Sequence, residues 1–574
     1  MQELFYTDLQ HFILIKLCLV FFVLLGIVCV YKRAKPIWFL ALFGFCSAAA
    51  YYILVDGMDL MFWGMIGDEN FIAALYEMAA HGKPFFDFVY PSLPAYYPPL
   101  FFLLFRLPGQ WFDLNGIQLA KLATFSIFLL YPAFFYAIQK WYWHRQIDRE
   151  DKGLPNATAW LVSALLLFAL VDPDAVIIKQ YEFVSASLSV LWAVWFLDSM
   201  YRKSFNYKHL LFFGVTGGLL FMTFYFWIFL AVIGLAIYNL FSDEKVGLKR
   251  YAWFTAVGLC LVLVALPYWF PLAQAYLSFG AENWQLGFTI IDRLKTDLPT
   301  DVFSPRGLAA FLGLASLLWF RKERYARSLL CLFVVPYIWQ LMGYVSILFF
   351  ASPLQESKGF MYFNDAVLAL AVGYGIERLR RRFRERIFFR YHQHSISIIL
   401  ILLLAVHGSI FGAFSDYPAV HETRVQAKSF TPGIPSLRDF LSKQEKLPET
   451  VTLHSGILQL QALLPLNSFI YYNMHVSHPA ARFSERLGFI EDMARSKSPE
   501  ELHNLIKGSF FGAIDRFIFF NDRKIFYPIY FNLDDFPNGI KAYQINLPAS
   551  LFQEPYFKNV YESDAYVVFD MNSI

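Results

Sequence analysis

The chain has 574 residues, of which 57% are hydrophobic and 16% are charged, and its mean hydropathy is +0.44. A water-soluble protein of this length could not cover so much apolar surface with so few charges, so the composition excludes an ordinary soluble enzyme. The formal net charge of +3 says little by itself, and we expect a membrane lipid environment and no nucleic-acid partner.

Long apolar runs predict about twelve membrane spans, which makes the chain a polytopic α-helical membrane protein. Several of these runs are short for a bilayer, so we expect some spans to be tilted or partly buried. The predicted spans are 11–31, 37–55, 117–139, 158–172, 182–199, 209–222, 224–240, 252–271, 306–320, 329–350, 364–379 and 395–414.

Lysine and arginine concentrate in alternate loops, which predicts the orientation of the spans. The basic loops are 32–35, 140–152, 202–208, 245–250, 321–327 and 378–390. Such loops face the cytoplasm by the positive-inside rule. Both termini are then outside, together with the loops 56–116, 172–182, 273–305 and 351–363 and a tail that begins at about 415.

The first outer loop contains GDENFIAALY (67–76), in which two carboxylates follow a glycine. Asp68 fits the N-terminal cap of a helix over 69–80 that stops at Gly82 and lies along the membrane surface. Its side chain could serve as this cap, as part of an ion pathway, or as a catalytic base, and the spacing alone favours the cap.

A segment rich in proline and aromatic residues follows this helix. The prolines of KPFFDFVYPSLPAYYPP (83–99) forbid a continuous helix and hold the chain extended or turned. PLFFLLFRL (99–107) is too short to cross a bilayer, so it predicts a second interfacial helix. The aromatic side chains between the prolines are typical of a membrane interface.

The hydrophilic tail predicts an α/β domain of its own. Expected strands are 450–455, 468–472, 516–520, 541–547 and 566–570, and expected helices are 436–447, 482–496 and one that begins at Ser498. His475, His478 and Arg482 cluster before the second helix, where they fit either an acceptor contact or a polar turn.

Cations are scarce on the predicted outer face, and each is a candidate for binding an anion. Lys179 lies with Glu182 in the second outer loop, Arg293 in the third, and Lys358 in the fourth. Each could equally be a charge that reaches the membrane interface and has no other role.

Two regions of the sequence resemble a known family. In the first outer loop the similar residues are Gly67-Asp68-Glu69 and YPSLPAYYP (90–98). In the tail they are HPAARFSERLGFIEDMA (478–494) and the stretch from YQINLPASLFQEPYF (543–557) to YVVFD (566–570). Both regions are similar to segments of galactan arabinofuranosyltransferases. These are GT-C glycosyltransferases of mycobacterial wall synthesis. The composition, with 64 Phe and 34 Tyr, differs from that of the mycobacterial enzymes. In this respect the chain is closer to a related group of enzymes that adds arabinofuranose to pilin.

The resemblance implies a GT-C transmembrane domain at 1–414, with the first outer loop at 56–116, and an extracytoplasmic α/β domain at 415–574. It implies an inverting arabinofuranosyltransferase of the bacterial cytoplasmic (inner) membrane, with its active site on the periplasmic face. The donor would be a polyprenyl-phosphate arabinofuranose, and the acceptor a hydroxyl of a cell-surface glycan or a pilin-type protein.

The same resemblance implies roles for individual residues. Asp68 is expected to be the general base, and Glu69 a supporting carboxylate, a helix-dipole partner or an acceptor contact. Lys358, then Lys179 and Arg293, are expected to bind the donor phosphate. The expected acceptor contacts are Tyr90, Tyr97, Glu182, His475, His478 and Arg482.

The sequence contains no zinc-ligand spacing, no Walker loop and no dinucleotide-binding motif. We expect that no cofactor is required, although a divalent cation such as Mg²⁺ or Mn²⁺ is compatible with the reaction. Two alternatives remain. One is a transporter or flippase for a lipid-linked glycan, and the other is a GT-C enzyme for a different sugar, such as a polyprenyl-phosphate hexose.

Overall fold

The structure is a computed structural model of the 574-residue chain. It describes residues 8–144, 155–201, 205–241, 248–282, 294–383, 398–399, 401–444, 447–521, 525–535 and 538–573. Arg293 and parts of four predicted basic loops, at 145–152, 202–204, 245–247 and 384–390, lie outside these residues.

Long apolar helices dominate the first 380 residues, as a multi-pass membrane protein requires. Within the described residues, seven segments are long and apolar enough to cross a membrane, and a pair bent by 77° would make an eighth. The seven are Asp8–Tyr31, Pro36–Val55, Gly116–His144, Gln180–Tyr201, Tyr207–Phe241, Arg324–Phe350 and Lys358–Arg382. The bent pair is Leu248–Val264 with Leu266–Phe279. Ala157–Leu170 and Pro305–Trp319 are shorter apolar helices, and 401–408 is also helical.

The segment Tyr207–Phe241 contains a break at Phe224, whose φ of −166° and ψ of 106° are not helical. Phe213 contacts Phe196 and Tyr238 contacts Tyr201, so both arms of the segment reach the same end of helix Gln180–Tyr201. A straight helix would hold Phe213 and Tyr238 about 37 Å apart at ~1.5 Å per residue. The segment therefore folds back at Phe224, in agreement with the two spans predicted at 209–222 and 224–240.

The helix Asp68–His81, which we call the outer helix, has nearly the predicted bounds. Gly67, with a φ of +60°, precedes it as the capping residue, and Gly82 ends it. The prediction of a surface helix with one apolar face was wrong, because most of its residues are buried on all sides. It packs between helix Gly116–His144 and helix Gln459–Leu463 of the tail, and its alanines permit this close approach.

The segment rich in proline and aromatic residues turns back on itself through a bridge between Phe86 and Pro94. The backbone amide of Ser468 donates to the carbonyl oxygen of Val89 at 2.8 Å, which ties this loop to the tail. The second predicted interfacial helix is replaced by two short helices, Leu100–Leu103 and Arg106–Phe112. Another short helix, Pro173–Ile178, lies in the second outer loop.

The tail contains a five-stranded mixed sheet and a separate hairpin. The sheet has the order β2-β1-β3-β7-β6, in which β1 is parallel to β2 and β3, and β7 is antiparallel to β3 and β6. The hairpin pairs β4 with β5. The strands are β1 (Val451–His454), β2 (Asn467–Ser468), β3 (Arg516–Phe520), β4 (Phe526–Asp535), β5 (Gly539–Pro548), β6 (Phe557–Glu562) and β7 (Tyr566–Met571).

Four of the five predicted strands match β1, β3, β5 and β7, whereas 468–472 is a strand only at its first residue. β4 and β6 were not predicted. The α-helices of the tail are Tyr417–Gln426, Ile434–Ser442, Gln459–Leu463, Phe483–Arg495 and Pro499–Lys507, and the short helix Ile410–Ala413 precedes them. Ser498 caps the last of these, because its hydroxyl accepts a hydrogen bond from the amide of Glu501.

Two apolar cores hold the molecule together. One is confined to the tail and fills the space between its sheet, its hairpin and the helices Phe483–Arg495 and Pro499–Lys507. The other is continuous from the spans through the outer helix into the first part of the tail, where it includes Val420, Leu437 and Leu460. The tail is thus packed against the membrane part over its first fifty residues and more.

Candidate active site

Asp68 begins the outer helix and makes an ion pair with a lysine from the second outer loop. Its Oδ2 atom lies 2.5 Å from Nζ of Lys179, and the two side chains are 31% and 27% exposed. Lys179 follows the short helix Pro173–Ile178 and immediately precedes the span Gln180–Tyr201. Two segments distant in sequence therefore meet at one solvent-accessible ion pair.

The ion pair belongs to a row of alternating charges. Glu182 Oε1 lies 3.8 Å from Nζ of Lys179 and 3.3 Å from Nζ of Lys358. Glu182 is only 1% exposed, and its second oxygen, Oε2, has no hydrogen-bond partner among the described residues. The order Asp68, Lys179, Glu182, Lys358 places two cations and two carboxylates at one site.

Aromatic rings surround the ammonium group of Lys358. Its Nζ atom lies 4.6 Å from the ring centre of Phe224, 5.6 Å from that of Phe226 and 5.9 Å from that of Trp227. These rings come from the point where helix Tyr207–Phe241 folds back. Cation–π attraction and the carboxylate of Glu182 together hold a cation in a largely dry position.

The charge state of Asp68 follows from two opposing effects. Burial raises the pKa of this carboxyl, but the adjacent ammonium of Lys179, with smaller contributions from His475 and Lys358, lowers it below its ordinary value. Asp68 is therefore ionised at neutral pH. It can accept a proton only weakly while Lys179 remains paired with it.

Tyr97 and His475 also lie near this site. The ring of Tyr97 packs on Phe71 of the outer helix at 4.9 Å, and the charges of Asp68 and Glu182 help burial to raise the pKa of its hydroxyl. His475 lies close enough to lower the pKa of Asp68. The structure thus brings together Asp68, Lys179, Glu182 and Lys358, with Tyr97 and His475 beside them.

Glu69 points away from this group of charges, although it is next to Asp68 in sequence. It is fully buried, and its two oxygens accept hydrogen bonds from the amides of Trp63 and Met65 at 2.8 and 2.9 Å. Burial raises its pKa to about 7. Of the roles that the sequence left open, an acceptor contact does not fit, because Glu69 holds the turn that precedes the outer helix.

Tyr90 lies in the contact between the first outer loop and the tail. Its hydroxyl is 2.6 Å from Oγ of Ser477 and accepts a hydrogen bond from the amide of Tyr471. The guanidinium of Arg486, a residue that the sequence did not single out, stacks on the Tyr90 ring at 5.1 Å. Both partners of the Tyr90 hydroxyl lie within the protein, so this hydroxyl joins the first outer loop to the tail and is not available to an acceptor.

His478 and Arg482 also lie apart from the charged row. His478 is buried between the rings of Tyr96 and Tyr276, and burial lowers its pKa to about 3. Arg482 pairs with Glu485 on the surface, with Nε 2.6 Å from Oε1. The contact of these two residues with the acceptor stays a prediction.

Sequence reasoning missed a second polar group near Asp68. Tyr472, whose hydroxyl lies beside the amides of Asn70 and Asn473, is close enough to feel the charge of Asp68. Asp534 of β4 lies next to His475, with Oδ1 3.5 Å from Nδ1. Only the position of Asn70, two residues after Asp68, could have indicated this group from the sequence.

The described residues offer no group of three or more His, Cys, Asp or Glu side chains that could hold a metal ion. Neighbouring carboxylates on a helix point in different directions, and here Glu69 is committed to backbone amides. The donor set around Asp68 therefore does not fit a resident divalent cation, and we derive no step through one.

No family model matches this chain, and no curated protein matches it. Among solved structures, the fold is similar to ArnT from Cupriavidus metallidurans in the apo state, at a TM-score of 0.46 and 14% identity over 90% of this chain and 95% of that one. The same protein bound to undecaprenyl phosphate gives a TM-score of 0.47 and 13% identity over 92% and 97%. The arabinofuranosyltransferase AftD from Mycobacteria gives a TM-score of 0.46 and 12% identity over 93% of this chain and 40% of that one.

Proposed function

We propose that the chain is an inverting membrane glycosyltransferase that moves arabinofuranose from a polyprenyl-phosphate donor to an acceptor hydroxyl. The observation that carries the proposal is the row Asp68, Lys179, Glu182 and Lys358, at the end of the spans where the outer loops and the tail meet. The site would face the periplasm of a bacterial cytoplasmic membrane. The acceptor would be a surface glycan or a pilin-type protein.

Asp68 is the proposed general base. A base must lie within hydrogen-bond reach of the hydroxyl that it deprotonates, and its pKa must be near the working pH. Free Asp68 is a poor base, because Lys179 lowers its pKa. A donor phosphate that takes Lys179 as its own partner would remove this effect and add a nearby negative charge, and both changes raise the pKa of Asp68.

Lys179 and Lys358 are the proposed phosphate ligands. Both ammonium groups lie within 3.8 Å of one oxygen of Glu182, so a phosphate could contact both after a small movement. Their charge would stabilise the phosphate as the sugar leaves it. A polyprenyl phosphate is a good leaving group, so no general acid is needed, and one displacement inverts the anomeric carbon.

The test uses membranes that contain the wild type, Asp68→Asn or Asp68→Ala, supplied with labelled polyprenyl-phosphate arabinose. We expect transfer by the wild type and a loss of at least about 100-fold in both variants, the scale on which general bases act. Asp113→Asn is the matched control, because Asp113 is an exposed carboxylate in the same outer loop. Transfer that persists in Asp68→Asn would remove the base.

A second donor tests the identity of the transferred sugar separately from the role of Asp68 as base. Labelled polyprenyl-phosphate mannose tests the hexose alternative in the same membranes. Incorporation from this donor and none from the arabinose donor would keep Asp68 as base and replace the sugar. Movement of either lipid across the bilayer without any transfer would support a flippase instead.

A further inference from the structure

A buried carboxylate near Asp68 lacks the partners that such groups normally have. The side chain of Asp534 is 1% exposed, and neither of its oxygens accepts a hydrogen bond among the described residues. The imidazole of His475 lies beside it, with 3.5 Å between Oδ1 and Nδ1. Buried charges are ordinarily paired and hydrogen-bonded, so a buried carboxylate without hydrogen bonds indicates a missing partner.

Two other carboxylates, one in the outer loop and one in the tail, do not share this feature. Both oxygens of Glu69 accept backbone amides, and Asp570 accepts two hydrogen bonds from the guanidinium of Arg516. Among the carboxylates of the described residues, Glu182 has one buried oxygen without a hydrogen-bond partner, whereas Asp534 has two.

The fold brings Asp534 to the site through strand β4. Asn473 bridges to Asn532 of β4, and the amide of Asn532 donates to the carbonyl oxygen of Tyr472 at 2.7 Å. The segment 472–475 therefore runs beside the end of β4. We call Asn473, His475 and Asp534 the tail cluster.

The tail cluster faces the region of Asp68. His475 contributes to the lowered pKa of Asp68, and Tyr472 feels the charge of the same carboxylate. Asn70, on the outer helix, lies beside the Tyr472 hydroxyl. The cluster is thus next to the proposed base but on the side of the tail, whereas Lys179 and Lys358 belong to the membrane part.

On Asp534 and Asn473, the buried side-chain atoms without a hydrogen-bond partner are all acceptors. They are the two carboxylate oxygens of Asp534 and Oδ1 of Asn473. A ligand that satisfies them must donate several hydrogen bonds from closely spaced groups, as the adjacent hydroxyls of a sugar do. A phosphate or carboxylate would be repelled by Asp534.

We propose that the tail cluster binds the terminal sugar of a neutral, hydroxyl-rich acceptor glycan, with Asp534 accepting hydrogen bonds from two of its hydroxyls. This assignment rests on the proposed function, because it gives the acceptor side of the same site. It commits the acceptor to a carbohydrate and selects against an acidic group at this position.

The test measures binding alone, without a donor, so that it does not depend on transfer. The full chain in nanodiscs is titrated with arabinotetraose, a galactofuranose tetrasaccharide and maltotetraose, and with maltose 1-phosphate as the anionic probe. The proteins are the wild type, Asp534→Asn and Asp535→Asn. Asp535 is the matched control, since it is the next residue and is exposed.

We expect at least one neutral oligosaccharide to bind the wild type and Asp535→Asn with Kd values within about twofold, and Asp534→Asn at least about tenfold more weakly. The thermal midpoint of Asp534→Asn should equal or exceed that of Asp535→Asn, because an unsatisfied buried charge is removed. Three results would overturn the proposal: unchanged binding by Asp534→Asn, a fall in its midpoint, or no neutral probe bound by the wild type. Sugar transfer without such binding would leave the proposed function in place and reject only this subsite.

Discussion

The Nζ atom of Lys358 lies 3.3 Å from Oε1 of Glu182. A carboxylate near the start of span Gln180–Tyr201 therefore holds the lysine at the start of span Lys358–Arg382. The same oxygen is 3.8 Å from Lys179. Glu182 thus keeps both proposed phosphate ligands within reach of one point, and it does so from a helix that is buried almost throughout. Its contribution to stability can be measured separately from catalysis.

Glu182→Gln should destabilise the protein, because the Lys358 ammonium then loses its carboxylate partner. Removal of one member of a buried pair costs about 3 kcal/mol, whereas loss of an exposed pair costs about 1 kcal/mol or less. Glu485→Gln is the control, since it breaks the surface pair with Arg482. Thermal unfolding in detergent would measure both, and equal midpoints for the two variants would contradict the assigned role of Glu182.

The pairing of Asp68 with Lys179 should be visible in the pH dependence of transfer. The lowered pKa of Asp68 places the acid limb of kcat/KM, which reports the free enzyme, below the ordinary range of a carboxyl. In Lys179→Met the main group that lowers the pKa of Asp68 is gone, and burial, which raises this pKa, remains. The acid limb of kcat/KM should therefore move to higher pH. The kcat of the wild type reports the donor complex, so its acid limb should lie at a higher pH than the acid limb of kcat/KM. Coincident limbs in all three profiles would show that Lys179 does not control Asp68.

Glu69 should affect stability and leave turnover nearly unchanged. Glu69→Gln keeps one of the two acceptors for the amides of Trp63 and Met65 and leaves the other amide unsatisfied, at a cost of about 1–3 kcal/mol. Transfer per folded molecule should remain within about threefold of the wild type, against about 100-fold loss in Asp68→Asn. A loss in Glu69→Gln as large as that in Asp68→Asn would make Glu69 part of the catalytic machinery.

Glu69 should also make stability depend on pH. Its pKa in the folded chain is about 7, against 4.5 as its ordinary value, so the folded chain holds the extra proton between these values. Ionisation is therefore unfavourable to the folded state, and the free energy of unfolding should fall as the pH rises from about 4.5 to 7. The fall should be smaller in Glu69→Gln when thermal midpoints are compared at pH 5 and pH 8. Parallel curves would show that Glu69 does not titrate in this window.

Tyr90→Phe should loosen the contact between the outer loop and the tail. The change removes the hydroxyl that meets Ser477 and leaves the amide of Tyr471 without its acceptor, at a cost of about 1–3 kcal/mol. The control is Tyr31→Phe, because Tyr31 is 83% exposed. Hydrogen exchange at 468–478 should quicken in Tyr90→Phe and remain unchanged in Tyr31→Phe, and protection that is equal in both would contradict the tie.

The sequence predicted those parts of the site that depend on local signals. The glycines at 67 and 82 fixed the outer helix, and the scarcity of cations on the outer loops singled out Lys179 and Lys358. The roles of Glu69 and Tyr90 could not be predicted, since they depend on which face of the loop the tail covers. The role of Asp534 could not be predicted either, because its position depends on the register of β4 with β5 and on a bridge between Asn532 and Asn473.

The second apolar core has a practical consequence for work on the tail. Because Val420, Leu437 and Leu460 pack into the same core as the spans, a fragment cut at the predicted boundary of 415 would expose them to water. Such a fragment should aggregate or require detergent, even though its sheet has a core of its own. A later start does not solve this problem, because a start beyond Leu460 would also remove β1 (Val451–His454), the strand between β2 and β3 in the sheet.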